Sequence, residues 1–575
     1  MKKVFVVESY NDLSDVLAIY GERELFDSAW TFLVLEQSGN CKTSYKGKII
    51  SLADYFGFAP VFMPQKSYCV LQFLKEEPTL TVIIYQNAAL GFYSLLHREQ
   101  RSYLKGTTFG LSSPRPFLKD LENQQKFPAG RTDIELNAME QECFKLYDGL
   151  LSIEAGDFFE MHKPCTKKPV AIFDGLKAFV DNATPRKRNS DGINDKTTVE
   201  EPFISVCIPT HNRPGYLSQA LKSLSAQSYK KFEVIVVDDG SDLKHKAELT
   251  SLEKQYETIG WRFLSQENAG PAAARNYAGF HAKGAYLLFM DDDDIALSNE
   301  LEIFAKAAQK TNADIFTCIP GLHPNSIARS EIDIEIKTGD SVYPLIKPDF
   351  LPLGGFIELG VFINCFGCNN ALFKKDVFDE LGGYLTEKEL LLEDVELFTR
   401  ALAKGFNLKV IPEILFLYRK HDNSRSWNEY TYQSHLRSLE PYKGLIDERL
   451  WPLLIAHRKG FYERHVSIAS DVTEAGIVSA GKWVTLSQPD GKEFELRVKV
   501  ENPGKHHSLL MDVKGDGKLS FRIASKEYEM QCNSKSSFIC EHDILPGSIQ
   551  NSGDLVINFS LIGELSVRRI AVLKQ

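Results

Sequence analysis

The chain reads as an α/β protein of several domains, and three patterns carry that reading. Apolar runs at 3–8 and 81–85 alternate with helix-like stretches at 117–125 and 134–147, and a second alternation has apolar runs at 203–208, 232–237 and 286–290. After residue 482, apolar and polar residues alternate singly. Continuous apolar runs separated by helices mark parallel strands buried on both faces; single-residue alternation marks antiparallel strands with one wet face.

Taken in order, residues 1–182 form a first α/β domain. The stretch 182–196 is polar and poor in apolar residues, too little to offset the entropy of ordering it, so a linker is expected over 183–201. A second α/β domain follows over 202–425. Apolar residues then recur at helical spacing over 430–446 and 449–470, which predicts a bridge of helices across 426–480. Over 481–575, alternating runs such as 494–500 and 555–559, with turn signals at Asn502-Pro503-Gly504 and Gly515-Asp516-Gly517, predict a β-sandwich. No fixed-period repeat or low-complexity tract interrupts the chain.

With 575 residues and 43% hydrophobic content the chain can bury several cores, about three or four domains by length. A net charge of -10 argues against nucleic acid as a partner, since that binding rests on clustered Lys and Arg. No apolar stretch reaches the roughly 20 residues that span a bilayer, and the amino terminus meets Glu8 too early for a signal peptide. The expected location is cytoplasmic, at most peripheral to the inner face of the membrane. Ten cysteines lack a repeating framework, which fits a reducing compartment. Cys365 and Cys368 make a C-x-x-C without the second pair that zinc needs, so core packing is expected there.

The chemistry concentrates where strands end. Asp291-Asp292-Asp293-Asp294 follow the apolar run 285–290. Four adjacent acids repel one another, and a buried strand delivering its end into them calls for a compensating cation. Carboxylates at alternate positions suit a hard divalent ion that keeps sites open for phosphates; the bland alternative is an acidic loop or a structural calcium site. The strand 204–208 opens at Pro209 into the polar turn Thr210-His211-Asn212-Arg213-Pro214, and 234–237 ends in Asp238-Asp239-Gly240-Ser241. Loops at such carboxyl ends are where open α/β sheets bind ligands. Asp239 has the chemistry to accept from a nucleobase imide or ribose hydroxyl; otherwise it is a helix cap before a turn glycine.

Together Pro209-Thr210-His211-Asn212, Val237-Asp238-Asp239-Gly240-Ser241, the stretch 268–276 and Phe289-Met290-Asp291-Asp292-Asp293-Asp294 resemble, in order and spacing, family 2 glycosyltransferases. The resemblance covers about residues 202–425. It implies the GT-A fold, a nucleotide-sugar-binding α/β domain, and inverting transfer of a sugar from a nucleotide diphosphate donor, UDP-linked, to a glycan or lipid-linked saccharide in surface polysaccharide synthesis. It also implies that Pro209, Thr210 and Asp239 line the base pocket and that Arg275 faces ribose or phosphates. Asp291 and Asp293 would form an Asp-x-Asp motif, Asp291 toward the ribose and Asp293 on a manganese or magnesium ion. Asp292 fills the variable middle position on the donor side, and Asp294 supports the others. Glu393-Asp394, preceded by Leu381-Gly382-Gly383-Tyr384, resemble the family's acidic pair, with Asp394 as base and Glu393 orienting it. A helix start would also place acids there. His421 matches a histidine that completes the metal shell in related transferases, although imidazole suits manganese better than magnesium. Arg419 and Lys420 are the alternative clamps for the diphosphate, and His211 stands where many relatives carry tyrosine.

The first domain loosely resembles the amino-terminal half of GT-B glycosyltransferases, a Rossmann-like domain on the acceptor side. It lacks the second half that would bind a donor, so it is expected to dock acceptor or serve as scaffold, and its His97 is expected on a helix surface. Trp483, Phe494, Phe521, Tyr528 and Phe559 give the last domain the aromatics of a carbohydrate-binding module, or simply a core. Two further functions remain: a catalytically silent glycan-binding scaffold, and a sugar nucleotidyltransferase. The glycine-free turn 209–214 counts against the latter.

Overall fold

The computed structural model describes residues 2–25, 30–37, 45, 47–77, 79–100, 104–123, 131–151, 171–173, 175–183, 201–326, 332, 334–386, 391–421, 432–447, 450, 454–455, 484–487, 493–499, 507–523, 526–544 and 554–574. The chain divides into two compact units, Met1–Trp427 with Ser438–Leu445, and Asn428–Arg437 with Ile446–Gln575.

The first unit holds two large sheets. One consists of β1 (Lys3–Val7), β2 (Trp30–Val34), β3 (Lys48–Ser51), β4 (Thr81–Tyr85), β5 (Thr108–Ser112), β6 (Gly149–Leu151) and β7 (Ala171–Phe173). Its order is β3-β2-β1-β4-β5-β6-β7, and every neighbouring pair is parallel. The central strands read as unbroken apolar runs because both faces are covered. Val4, Val6, Val82 and Ile84 join one core with the helices Met63–Glu76, Phe92–Gln100 and Arg131–Leu146. Phe5, Val7, Ile83 and Tyr85 join another with Leu13, Val16 and Phe179. Successive residues thus feed opposite layers, as the period-two geometry of a strand requires.

The second sheet is built from β8 (Ile204–Thr210), β9 (Phe232–Asp239), β10 (Arg262–Gln266), β11 (Tyr286–Phe289), β12 (Ile295–Ala296) and β13 (Ile315–Leu322). The ribbon of β14 (Ile336–Lys337) and β15 (Leu345–Ile346) lies outside it, and β16 (Ala371–Lys374) and β17 (Leu408–Tyr418) complete it. The order is β10-β9-β8-β11-β16-β13-β17-β12. Strands β10, β9, β8 and β11 are mutually parallel, and β16 runs against both its neighbours. The parallel quartet delivers Thr210, Asp239 and the aspartate run to one edge.

The two sheets of this unit share a core. The apolar cluster beneath β1 and β4 continues into Ile235, Val237, Leu287 and Phe289 of the second sheet. Around it, Glu99 receives Lys409 at 2.8 Å, Gln100 Nε2 donates to the Val410 carbonyl at 2.8 Å, and Tyr93 donates its hydroxyl to the Pro352 carbonyl at 2.9 Å. His97 is therefore no surface residue. It is fully buried, with Nε2 2.8 Å from Glu413 Oε1, while Lys75 Nζ lies 2.7 Å from the other oxygen of that carboxylate. The pairing of β13 with β17 skips from Cys318↔Ile411 to Ile319↔Ile414, leaving Pro412 and Glu413 out of the ladder. Pro412 has no amide hydrogen to donate, so an irregularity is the natural outcome there. A buried partner 316 residues away in sequence leaves no local signature around His97.

Of the expected helical bridge, the described part is the helix Tyr432–Leu439 followed by the turn Glu440–Tyr442. The stretch 449–470, except 450 and 454–455, and most of the linker, 184–200, lie outside the described residues. The second unit contains β18 (Val484–Ser487), β19 (Glu493–Lys499), β20 (His507–Ile523), β21 (Lys526–Ile544) and β22 (Asp554–Lys574). The expected alternation is present, but the described strands share one antiparallel sheet instead of the two layers of a sandwich, with β22 pairing β20, β18 and β19. Gly515-Asp516-Gly517, read as a turn, lies inside β20 and pairs on both sides. Cross-strand pairing overrode local turn preference. Among the described residues no helix is long and apolar enough to cross a membrane.

Candidate active site

Four strand ends, of β8, β9, β11 and β17, and three helix starts, at Pro214, Pro271 and Glu393, supply the residues around the acidic edge. Thr210, at the end of β8, donates its hydroxyl to Asp292 Oδ2 at 2.7 Å; Pro209 is buried within β8, opposite Val237. Asn212 takes a positive φ of 57°, held by Ser241 Oγ accepting from its amide at 2.8 Å and by its Oδ1 accepting from the Asp242 amide at 2.8 Å. The turn brings Arg213, which precedes the helix Pro214–Ser225, over the aspartates: its Nη1 lies 2.9 Å from Asp293 Oδ2 and 3.2 Å from Asp292 Oδ1.

Asp239, at the end of β9, serves the next loop. Its Oδ1 accepts from the Ala269 amide and Gln266 Nε2, each at 2.8 Å, and its Oδ2 from the Gly270 amide at 2.9 Å. These bonds fix the turn entering the helix Pro271–His281. Gly240, at φ 71°, permits the approach, since a Cβ there would lie 2.6 Å from the Asn268 amide nitrogen. Most of the acceptor capacity expected for a nucleobase is thus committed within the protein, to two backbone amides and the Gln266 side chain.

Arg275, on that helix and 5% exposed, joins the two acidic motifs. Its Nη2 lies 2.7 Å from Asp291 Oδ1 and its Nη1 3.0 Å from Glu393 Oε1, with the guanidinium 5.6 Å from the Tyr384 ring centre. Burial works against its charge, but Asp291 and Glu393 outweigh it and raise its pKa. Asp291 also accepts from Asn369 Nδ2 at 3.2 Å, and Asn369 in turn accepts from the Tyr384 hydroxyl at 2.7 Å. Desolvation raises the Asp291 carboxyl, yet Arg275 and Asn369 more than offset it and hold it below its ordinary range. Asp292 is the opposite case: burial, then the neighbouring Asp293, push it up to about 7. Asp294 is buried, its Oδ1 has no hydrogen-bond partner among the described residues, and burial with Asp293 and Asp291 raises it well above the usual range.

The acidic pair begins the helix Glu393–Ala403, immediately after Leu392, a non-glycine residue at φ 63°. Such backbone costs about 1–3 kcal/mol and persists only where its surroundings impose it. Asp394 accepts from the Val395 amide at 2.8 Å, and burial, then Glu393, push its carboxyl up to about 7. The end of β17 supplies the remaining side. His421 Nε2 lies 3.0 Å from Asp293 Oδ2, with its ring stacked on Tyr216 at 5.2 Å. Arg419 donates through Nε to the Asp293 carbonyl at 3.1 Å and through Nη2 to Gln219 at 2.9 Å, and Lys420 Nζ lies 2.6 Å from Asp349. Both cations offered as diphosphate clamps are therefore committed within the protein.

Of the sequence-derived candidates, hydrogen bonds and ion pairs join Thr210, Arg275, Asp291, Asp292, Asp293, Glu393 and His421 at this edge, Asp394 follows Glu393, and Pro209 and Asp239 stand at neighbouring strand ends with other partners. Three residues with no assigned role join the edge: Arg213, Asn369 and the hydroxyl of Tyr384. Arg213 sits one residue past Asn212 in the same polar turn, a signal present in sequence but not separable there from an exposed cation. Asn369 had none. The donors fit a hard divalent ion in kind, with carboxylate oxygens of Asp291 and Asp293 beside the imidazole of His421. Among the described residues, no three His, Cys, Asp or Glu side chains converge into a metal site; Arg275 engages Asp291 and Arg213 engages Asp293.

Residues 205–382 match the family described as Glycosyl transferase family 2. An uncharacterized glycosyltransferase of Rickettsia felis is 29% identical over 203 residues, covering 35% of this chain and 33% of its own. Glycosyltransferase GlyA of Streptococcus pneumoniae is 24% identical over 356 residues, covering 59% of this chain and 46% of its own. The chain thus spans between a third and a half of the length of these curated relatives. Among solved structures, Staphylococcus aureus TarS residues 1–349 with UDP aligns at 19% identity and a TM-score of 0.32, covering 46% of this chain and 72% of that one.

Proposed function

We propose, residues 205–382 being a family 2 glycosyltransferase domain, that this protein transfers a sugar with inversion from a nucleotide diphosphate sugar, UDP-linked, to a saccharide acceptor of a surface glycan. The observation that carries the proposal is the Arg275 bridge, which ties the aspartate run to Glu393 and so brings a donor-side and an acceptor-side acid to one guanidinium.

In the reaction, the acceptor oxygen forms a bond to the anomeric carbon as that carbon's bond to the diphosphate oxygen breaks, and the hydroxyl proton passes to Asp394. A carboxyl near 7 is suited to that duty, being about half ionised at neutral pH and basic enough to take a proton as the hydroxyl acidifies. Glu393, fixed by Arg275, orients the helix start that carries Asp394. Asp291, Asp293 and His421 would hold a manganese or magnesium ion, which supplies charge neutralisation to the departing diphosphate. Asp239 shapes the base pocket through the 268–270 loop, and Thr210 fixes Asp292. The domain division at 1–182, 202–425, 426–480 and 481–575 belongs to the same proposal, with the first domain built into the catalytic one through a shared core. A location on the cytoplasmic side of a membrane fits such an acceptor.

The test is nucleotide diphosphate release from a panel of nucleotide sugars with manganese, magnesium or chelator. Release from one donor, dependent on metal, is the expected result. Tight binding of a nucleotide sugar without release, even with saccharide acceptors added, would favour the silent scaffold instead.

A further inference from the structure

Three arginines reach the acidic edge, and they differ in freedom. Arg275 is 5% exposed and locked between Asp291 and Glu393; Arg419 is 9% exposed, bonded to backbone and Gln219, and lies 4.9 Å from the Tyr216 ring centre. Arg213 is different. Its side chain is 30% exposed, and it meets Asp292 and Asp293 through a single nitrogen, Nη1. The oxygen it holds, Asp293 Oδ2, is the same one that lies 3.0 Å from His421 Nε2. A cation shared by Asp293 and His421 needs that oxygen. A guanidinium and a divalent ion cannot both sit within about 3 Å of it without strong repulsion.

We propose that Arg213 is a placeholder cation: it neutralises Asp292 and Asp293 while no donor is bound, and a divalent ion displaces it only as a nucleotide diphosphate arrives to receive it. The inference rests on the donor class proposed above. Arg213 has the means to exchange, because its backbone is anchored by the Asn212 turn while its long side chain is partly in water. The diphosphate supplies anionic oxygens that match the guanidinium fork. Divalent ion alone must then compete with Arg213, so metal and nucleotide tighten each other by the same factor, as reciprocal linkage requires.

The test is calorimetric titration of the full chain with Mn2+ alone, with UDP or GDP alone, and with each nucleotide in saturating Mn2+, for the wild type, Arg213→Ala and Arg213→Lys. In the wild type, nucleotide should tighten Mn2+ roughly tenfold or more. In Arg213→Ala, Mn2+ alone should bind roughly tenfold tighter than in the wild type and most of the mutual tightening should vanish; Arg213→Lys should lie between. Unchanged affinity for Mn2+ alone in Arg213→Ala, with the mutual tightening preserved, would overturn the placeholder role while leaving the donor reading intact. Failure of wild type and variants alike to bind either nucleotide, with or without Mn2+, would instead overturn the donor reading and the exchange with it.

Discussion

Asp394→Asn separates chemistry from donor binding. The hydrogen bond of Asp394 runs to the adjacent Val395 amide, whereas Glu393 carries the link to Arg275 and Asp291. The amide is nearly isosteric, so the Arg275 bridge and the donor side should persist. Loss of a positioned general base costs about 10²–10⁴-fold in rate, or about 3–5 kcal/mol of barrier. The pH dependence gives a second reading: with its carboxyl near 7, Asp394 is about one-tenth ionised at pH 6, so kcat/KM should fall about tenfold per unit as pH drops below 7. The assay is nucleotide diphosphate release from pH 5 to 9, paired with calorimetric donor binding at pH 7.5. A variant within about threefold of wild-type rate that kept the acidic limb would refute Asp394 as the base.

Asp293→Ala should abolish metal-stimulated turnover and weaken Mn2+ binding in the presence of nucleotide; stimulation that survives intact would remove Asp293 from the metal. Glu413→Ala takes away the carboxylate that buried His97 and Lys75 both face, and should cost about 2–4 kcal/mol of stability. A thermal midpoint unchanged from the wild type would show that the two sheets do not depend on that contact. Gly383→Ala would put a methyl 2.4 Å from Asn276 Oδ1 at a φ of 76°, with an expected loss of about 1–3 kcal/mol in urea unfolding. An unchanged urea midpoint there would mean that the Asn276 side chain, which accepts from the Tyr384 amide at 2.7 Å and donates to its carbonyl at 2.8 Å, gives way freely.

Much of the architecture was readable from local pattern. Strands β8, β9 and β11 lie where unbroken apolar runs placed them, because strands covered on both faces must be apolar at every position. Asp239 and the aspartate run were readable for a related reason: they stand directly at the ends of those strands, so predicting the strand also placed the acid, whereas Glu393 and Asp394 open a helix and were marked by their motif. Turn chemistry was a weaker guide. Gly515-Asp516-Gly517 went into the middle of β20 because pairing with β21 and β22 on both sides outweighed a local preference worth about 1 kcal/mol.

By itself, then, the sequence determined which segments are strands and which acids end them, since periodicity and strand-end position are properties of neighbouring residues. Tertiary structure decided the partnerships: Asp239 given to the Ala269 and Gly270 amides, Arg275 shared between Asp291 and Glu393, Arg213 set against Asp293, and His97 buried on Glu413. Each of these joins charges or polar groups from 30 to 316 residues apart, apart from the 16 between Arg275 and Asp291. A carboxylate's partner is whichever donor the packed chain brings within hydrogen-bond reach, and that depends on how whole sheets and helices meet rather than on its own neighbours in sequence.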